Sequence, residues 1–266
     1  MRLRLKAPAA PMGSIPGRSG VSVSHTIQVS PFMHPAAAAI ESPIQNAATI
    51  NAPHRAFCMS NTFDPNCRAC PRLATFLDEV RVRHPDYHAR PVPAFGDPEP
   101  SLLIVGLAPG MHGANRSGRP FTGDYAGVLL YETLHRFGYA SAPVSVSRDD
   151  GLQLTGCRIT NAVKCLPPAN KPEPGEIREC NRYLTVELAG LPQHASILAL
   201  GLIAHQAVLR ALGCKLKDYP FGHASDYRLP DGRRLVSSYH CSRYNTQTRR
   251  LTPDMFRAVF ERLDSA

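Results

Sequence analysis

No apolar stretch in these 266 residues approaches the roughly 18 that a membrane-spanning helix needs, so the chain reads as a soluble protein. Acidic residues are scarce beside basic ones: 21 Asp and Glu face 30 Lys and Arg, a net charge of +9. The deficit is sharpest at the start, where the first carboxylate is Glu41. An excess of positive charge points to an anionic partner, nucleic acid first. Two nucleotide-binding signatures are missing as well. The G-x-G-x-x-G dinucleotide fingerprint does not occur. "GANRSGRP", Gly113 to Pro120, approaches G-x-x-x-x-G-K-[ST], but Arg119 and Pro120 stand where a lysine and a hydroxyl would reach phosphate and magnesium. A phosphate-binding NTPase is therefore disfavoured.

Residues 1–58 also lack pattern. They are rich in Ala, Pro, Ser and Gly, with no sustained helix or strand period. A transit peptide, a disordered tail and an over-extended start all fit this composition. Met59 directly precedes "SNTFDPNCRACPRL", where organised sequence begins, which favours a tail or a misassigned start over targeting. The expected domain is 59–266.

From there the pattern alternates. "CPRLATFLDEVRVRH" predicts a helix with Leu73, Phe76, Leu77 and Val80 on one face. "SLLIVGLA", "CRITNAVKC", "SILALG" and "RRLVSSYH" predict four strands. "AGVLLYETLHRFGY", "EIRECNRYLTVELAGL" and "LIAHQAVLRALG" predict helices between them. "TPDMFRAVFERLD" predicts a last helix, capped by Thr252 with Pro253 in its first position. This order implies an α/β fold, a three-layer α/β/α sandwich around a mostly parallel four-stranded sheet. Ligands of such sheets bind beyond the carboxyl ends of the strands. Three polar segments lie there: 106–124, 161–175 and 240–250.

Those segments carry "GLAPGMHGANRSGRPFTGD", "TNAVKC" and "HCSRYNTQTRRLT". In this order, and with Cys67, Cys70, Cys165 and Cys180, they resemble the three motifs of the family 5 (type-b) uracil-DNA glycosylases. The resemblance runs from about Cys67 to the C-terminus. Leu107 stands where the related family 4 usually has an acidic residue. Ala126 and Ser117 are small departures from the pattern. The resemblance implies a uracil-DNA-glycosylase-like fold and a monofunctional DNA-repair glycosylase. Such an enzyme flips uracil, and other deaminated bases such as hypoxanthine, out of DNA, hydrolyses the N-glycosidic bond and leaves an abasic site. A cytoplasmic, nucleoid-associated monomer is implied, with DNA as partner and no membrane. A non-catalytic iron–sulfur nucleic-acid-binding protein of the same fold is the alternative.

Each segment suits one part of that task. Gly106, Ala108 and Pro109 can line a base pocket, and Phe121 can stack on the flipped base. Asn161 ends a strand, and its amide can donate to and accept from a base edge. Asp124 is the only carboxylate in the three motifs, so it is the candidate to face the cationic sugar. Its alternative is a turn aspartate that accepts backbone N–H bonds. His240 is the candidate donor to the departing base anion. Asn115, Arg116, Arg119, Arg243, Tyr244 and Arg249 are the candidate DNA contacts, with Arg250 beside them. His112 ranks below His240 as an anion contact. Small residues at 108, 110, 113 and 114 leave room for a purine unless Met111 or Tyr125 folds inward.

Eight cysteines occur in a chain too large to depend on disulfide staples. A C-x-x-C (Cys67, Cys70) with two distant partners (Cys165, Cys180) suits a [4Fe–4S] cluster or zinc. The fourteen-residue gap between Cys165 and Cys180, wound through "LPPANKPEP", matches the family's iron–sulfur layout. A cluster there would have a structural role.

Overall fold

The computed structural model describes residues 63–265, so the expectations for 1–58 fall outside the described residues. The four long apolar runs form parallel strands: β2 (Leu102–Gly106), β3 (Cys157–Asn161), β4 (Ser196–Leu200) and β6 (Arg234–Ser238). Two short strands, β1 (Phe95–Gly96) and β5 (Asp226–Arg228), add to the two edges in antiparallel sense. The sheet order is β1-β3-β2-β4-β6-β5. The expected four parallel strands are therefore the middle of a six-stranded mixed sheet. The additional strands have two and three residues and no apolar run, so periodicity could not reveal them.

Alternation along the strands builds the layers. Leu102 and Ile104 point to one face and meet Leu130 and Leu134 of α3 (Tyr125–Arg136) and Phe256 and Phe260 of α7 (Pro253–Asp264). Leu103 and Val105 point to the other and meet Leu184 and Leu188 of α4 (Pro174–Ala189) and Ala207 and Val208 of α5 (Leu202–Ala211). Both faces are dry, as continuous apolar strands require. α1 (Pro71–Arg83) packs Leu73, Leu77 and Val80 into a third apolar cluster, which also holds Cys165 and Cys180. Thr252 caps α7, accepting from the Met255 N–H at 3.2 Å, and Pro253 follows it. No helix of the described residues is long and apolar enough to cross a membrane.

β2 lies between β3 and β4, so the chain moves to one side of β2 for β3 and crosses to the other side for β4, and a crevice opens at the carboxyl ends of the strands there. Pairing continues past the strands: Ala162 N–H donates to Gly106 O at 2.9 Å, and Val163 N–H to Leu107 O at 3.0 Å. The first two polar segments are thus locked side by side.

Candidate active site

The crevice is a cleft of about 420 Å³, the size of a small-ligand pocket. All three segments wall it. The first supplies Leu107, Ala108, Gly110, Ala114, Phe121 and Asp124, the second Asn161 and Asn170, and the third His240, Ser242 and Arg243. Tyr125 and Ala126 complete the wall from the start of α3.

Asn161 sits at the end of β3, 2% exposed, and neither its amide nitrogen nor its carbonyl oxygen has a partner. A buried unpaired amide is destabilising, so its retention points to a ligand with its own donors and acceptors. Gly106 stands opposite it in register. A Cβ at 106 would lie 2.4 Å from Asn161 Oδ1 and 2.6 Å from Phe121 Cζ, so only glycine lets both side chains nest there. Phe121 holds a left-handed backbone (φ 53°), and its ring lies 5.9 Å from the His240 ring at 28°. Pro109 is buried and does not reach the cleft surface, whereas Ala108 does. Asn161→Ala is expected to remove activity yet hold or slightly raise folding stability, by up to about 1 kcal/mol, because it deletes an unsatisfied group and adds no volume. Denaturant unfolding beside an excision assay checks this, and a stability loss would show that Asn161 has a structural partner.

Asp124 caps α3: Oδ1 accepts from Gly127 N–H at 2.8 Å. The turn-aspartate alternative is therefore real, and it leaves Oδ2 over Gly110 and Gly113. A Cβ at 113 would fall 2.6 Å from Oδ2, so the absence of a side chain there seats the carboxylate. Burial pushes its pKa above the ordinary 3.8, and the N–H groups of Gly127 and Ala126 oppose that shift. His240 follows β6, and Asn245 Nδ2 donates to its backbone oxygen at 2.8 Å. Asn245 lies on α6 (Arg243–Gln247), a helix hidden in a stretch without apolar periodicity. Burial lowers the His240 pKa from 6.5 to about 4. The ring is neutral at physiological pH, a hydrogen-bond donor without positive charge.

Two expected DNA contacts are corrected. Arg119 is 4% exposed and engaged inside the protein. Its guanidinium donates to Asp150 Oδ2 and Ser145 Oγ, both at 2.6 Å, to Thr122 Oγ1 at 2.9 Å and to Arg148 O at 3.1 Å, and lies over the Phe95 ring. Asn115 is fully buried, its amide facing inward without a partner. Neither side chain can grip a phosphate. Arg116, Arg243, Arg249 and Arg250 stay at the surface, and Tyr244 is 70% exposed beside the cleft residue Arg243. The Arg243 guanidinium lies over the Tyr125 ring and that of Arg250 over Tyr239. His112 bonds the Tyr87 hydroxyl and is not part of the cleft wall. Met111 packs on the α1 cluster, so of the two residues that could narrow the pocket only Tyr125 reaches it.

Cys67, Cys70, Cys165 and Cys180 line one small apolar cavity between α1, α4 and the segment after β3. Burial raises the Cys165 and Cys180 thiols, and raises Cys70 to about 11, with the neighbouring thiols adding to each shift. Lys164 N–H donates to Cys180 Sγ at 3.2 Å and Arg182 Nη2 to Cys67 Sγ at 3.5 Å. Four sulfurs around one cavity, with N–H donors aimed at two of them, suit a thiolate-bound cluster. Among the described residues, no three His, Cys, Asp or Glu side chains stand ready to close on a single metal ion. Lys164, 1% exposed, is held by Glu187 at 2.8 Å, which fixes the path from Asn161 to Cys165.

A doubly covered, mostly parallel sheet whose crevice presents an orphaned amide, an aromatic ring, a carboxylate and a neutral histidine is the arrangement of an α/β enzyme with a small-ligand cleft at its strand ends. The comparisons with known proteins make the class specific. A model of the uracil DNA glycosylase superfamily matches residues 93–264. A Type-5 uracil-DNA glycosylase from Thermus thermophilus is 52% identical over 198 residues, 73% of this chain and 90% of that protein. One from Mycobacterium bovis is 44% identical over 211 residues, 76% of this chain and 79% of that protein. A Type-4 uracil-DNA glycosylase from Pyrobaculum aerophilum is 38% identical over 128 residues, 48% of this chain and 57% of that protein. The chain belongs to the uracil DNA glycosylase superfamily.

Proposed function

We propose that this chain removes uracil from DNA by hydrolysing the bond between base and deoxyribose, leaving an abasic site. The observation that carries this is the unpartnered amide of Asn161 at the base of a cleft that also holds Phe121, Asp124 and His240. The flipped base stacks on Phe121 while Asn161 pairs with its polar edge. As the bond stretches, the sugar becomes cationic and the base anionic. The Asp124 carboxylate faces the developing cation. The neutral His240 ring donates to the base oxygen, and the partly buried setting strengthens both interactions. Arg116, Arg243 and Arg249 hold the DNA backbone, and Tyr244 fills the gap left by the base. Cys67, Cys70, Cys165 and Cys180 hold a [4Fe–4S] cluster. When bound, it supplies four iron–thiolate links that tie α1 to the segment carrying Asn161. The chain works as a cytoplasmic monomer, with residues 59–266 as the active domain.

Incubation with a uracil-containing oligonucleotide, followed by alkali, is expected to give cleavage at the uracil position. An uncut strand at excess enzyme would overturn the proposal. A chain starting at Met59 is expected to excise uracil at an unchanged rate; loss of soluble protein would show that the extension packs on the domain. Hypoxanthine is expected to be released from duplex DNA at a rate no higher than uracil. The cleft wall supports this breadth through Ala108, Gly110 and Ala114. Single-turnover assays on matched duplexes test it, and strict uracil specificity would mean that Tyr125 closes the pocket.

A further inference from the structure

One wall residue of the cleft comes from neither the three motifs nor the start of α3. Asn170 lies in "LPPANKPEP", between Cys165 and Cys180, and reaches the same cavity as Asn161. Its seat is built with care. Ala169 (φ 52°) and Asn170 (φ 56°) are both left-handed, and asparagine tolerates that region better than most residues. Pro167 and Pro168 fix the approach. Asn170 N–H donates to Pro167 O and Lys171 N–H to Pro168 O, each at 3.0 Å. Beyond the turn, Arg72 Nη2 donates to Lys171 O at 3.2 Å while the same guanidinium grips Glu176 at 2.7 and 2.8 Å. The segment is thus pinned on both sides of two consecutive strained residues. Strain held this firmly marks a position where side-chain direction matters. The Asn170 amide makes no side-chain hydrogen bond among the described residues and is exposed to the cleft.

We propose that Asn170 is a specificity-determining residue, whose amide takes the far edge of a deaminated purine that a pyrimidine does not reach. This rests on the glycosylase reading of the cleft. Asn161, deep at the strand end, can engage the edge that uracil and hypoxanthine have in common. A purine is a ring longer, and its imidazole side adds an acceptor nitrogen. An amide N–H at the rim meets that acceptor, and its carbonyl leaves the alternative polarity open. Uracil is released without this contact.

Asn170→Gly removes the amide while glycine keeps the left-handed backbone. Single-turnover kcat/KM is measured on matched duplexes carrying uracil or hypoxanthine, for wild type, Asn170→Gly and Asn170→Gln. The expected result for Asn170→Gly is a loss of about tenfold on hypoxanthine, the size of one hydrogen bond to a base edge. Uracil should change less than about twofold, since no interaction with it is removed. Asn170→Gln is expected to restore part of the hypoxanthine rate. Equal losses on both bases would mean a structural role, and no loss on either would mean that the amide is idle; both overturn the proposal. Wild type that cuts uracil but not hypoxanthine overturns it as well. Wild type inert on uracil would instead remove the glycosylase reading beneath it.

Discussion

Asp124→Asn and His240→Ala are each expected to lower the single-turnover excision rate by about 10²–10³-fold, the usual effect of removing one group that stabilises charge in the transition state. Affinity for uncut uracil DNA should shift by less than about threefold, because neither interaction exists in the ground state. Asparagine keeps an oxygen for the Gly127 N–H that Asp124 now accepts at 2.8 Å, so the α3 cap survives and the substitution isolates the charge. Asp124→Ala would lose cap and charge together. Binding that collapses in step with rate would make both residues positioning elements. The pH profile gives a second readout. Burial raises the Asp124 pKa above 3.8, so activity should fall on acidification earlier than for an ordinary carboxylate. Asp124→Asn should flatten that limb. His240 stays neutral down to about pH 4 and cannot account for a loss above it. Its effect appears in stability. The unfolded chain takes up a proton near 6.5 and the folded chain only near 4, so the stabilisation present above 6.5 is lost as pH falls across that window. His240→Ala should remove this component.

Replacing any one of Cys67, Cys70, Cys165 or Cys180 by serine is expected to give colourless protein that is largely insoluble. Wild type should be brown, with broad visible absorption and about four irons per chain. The effect should be large because metal binding of this kind is folding free energy, on the order of 10 kcal/mol for small structural sites. Here it would act on the apolar cluster that joins α1, α4 and the segment after β3. Cys214→Ser is the control, since Cys214 packs by α5 in a different cluster. Iron analysis and thermal unfolding provide the measurement. Stoichiometric zinc without iron, after anaerobic preparation, would rule out the cluster.

The interior of the sheet was legible because each strand buries both faces and so reads as an unbroken apolar run. The loops were legible in position but not in orientation. Asp124, Phe121, Asn161 and His240 could be assigned to the cleft because each closely follows or precedes a regular element whose direction is fixed. Arg119 could not be placed. Its partner Asp150 is 31 residues away, and an arginine that will be buried looks in sequence like one that will grip DNA. Asn115 failed for the same reason, as the second residue of a four-residue helix (α2, Ala114–Ser117) with no period of its own. Asn170 was invisible because two left-handed residues aim it, and nothing in an Ala-Asn pair announces that geometry. Asn245 lay in a segment read only for its charges.

The glycine at the end of β2 also governs how such a cleft can be altered. Backbone at 106 is the surface against which Asn161 and Phe121 nest, and it belongs to the central strand of the sheet. The deep end of the cleft therefore inherits the rigidity of the core. A redesign for another base that enlarged Asn161 would have to move a strand held on both sides. Tyr125, Asn170 and Arg243 stand at helix starts and in a turn, where a new side chain displaces only solvent or a loop, provided that at 170 it is one the left-handed backbone admits. Retargeting the enzyme is a matter of the rim, and libraries confined to those three positions should yield folded variants far more often than libraries that include 106, 121 and 161.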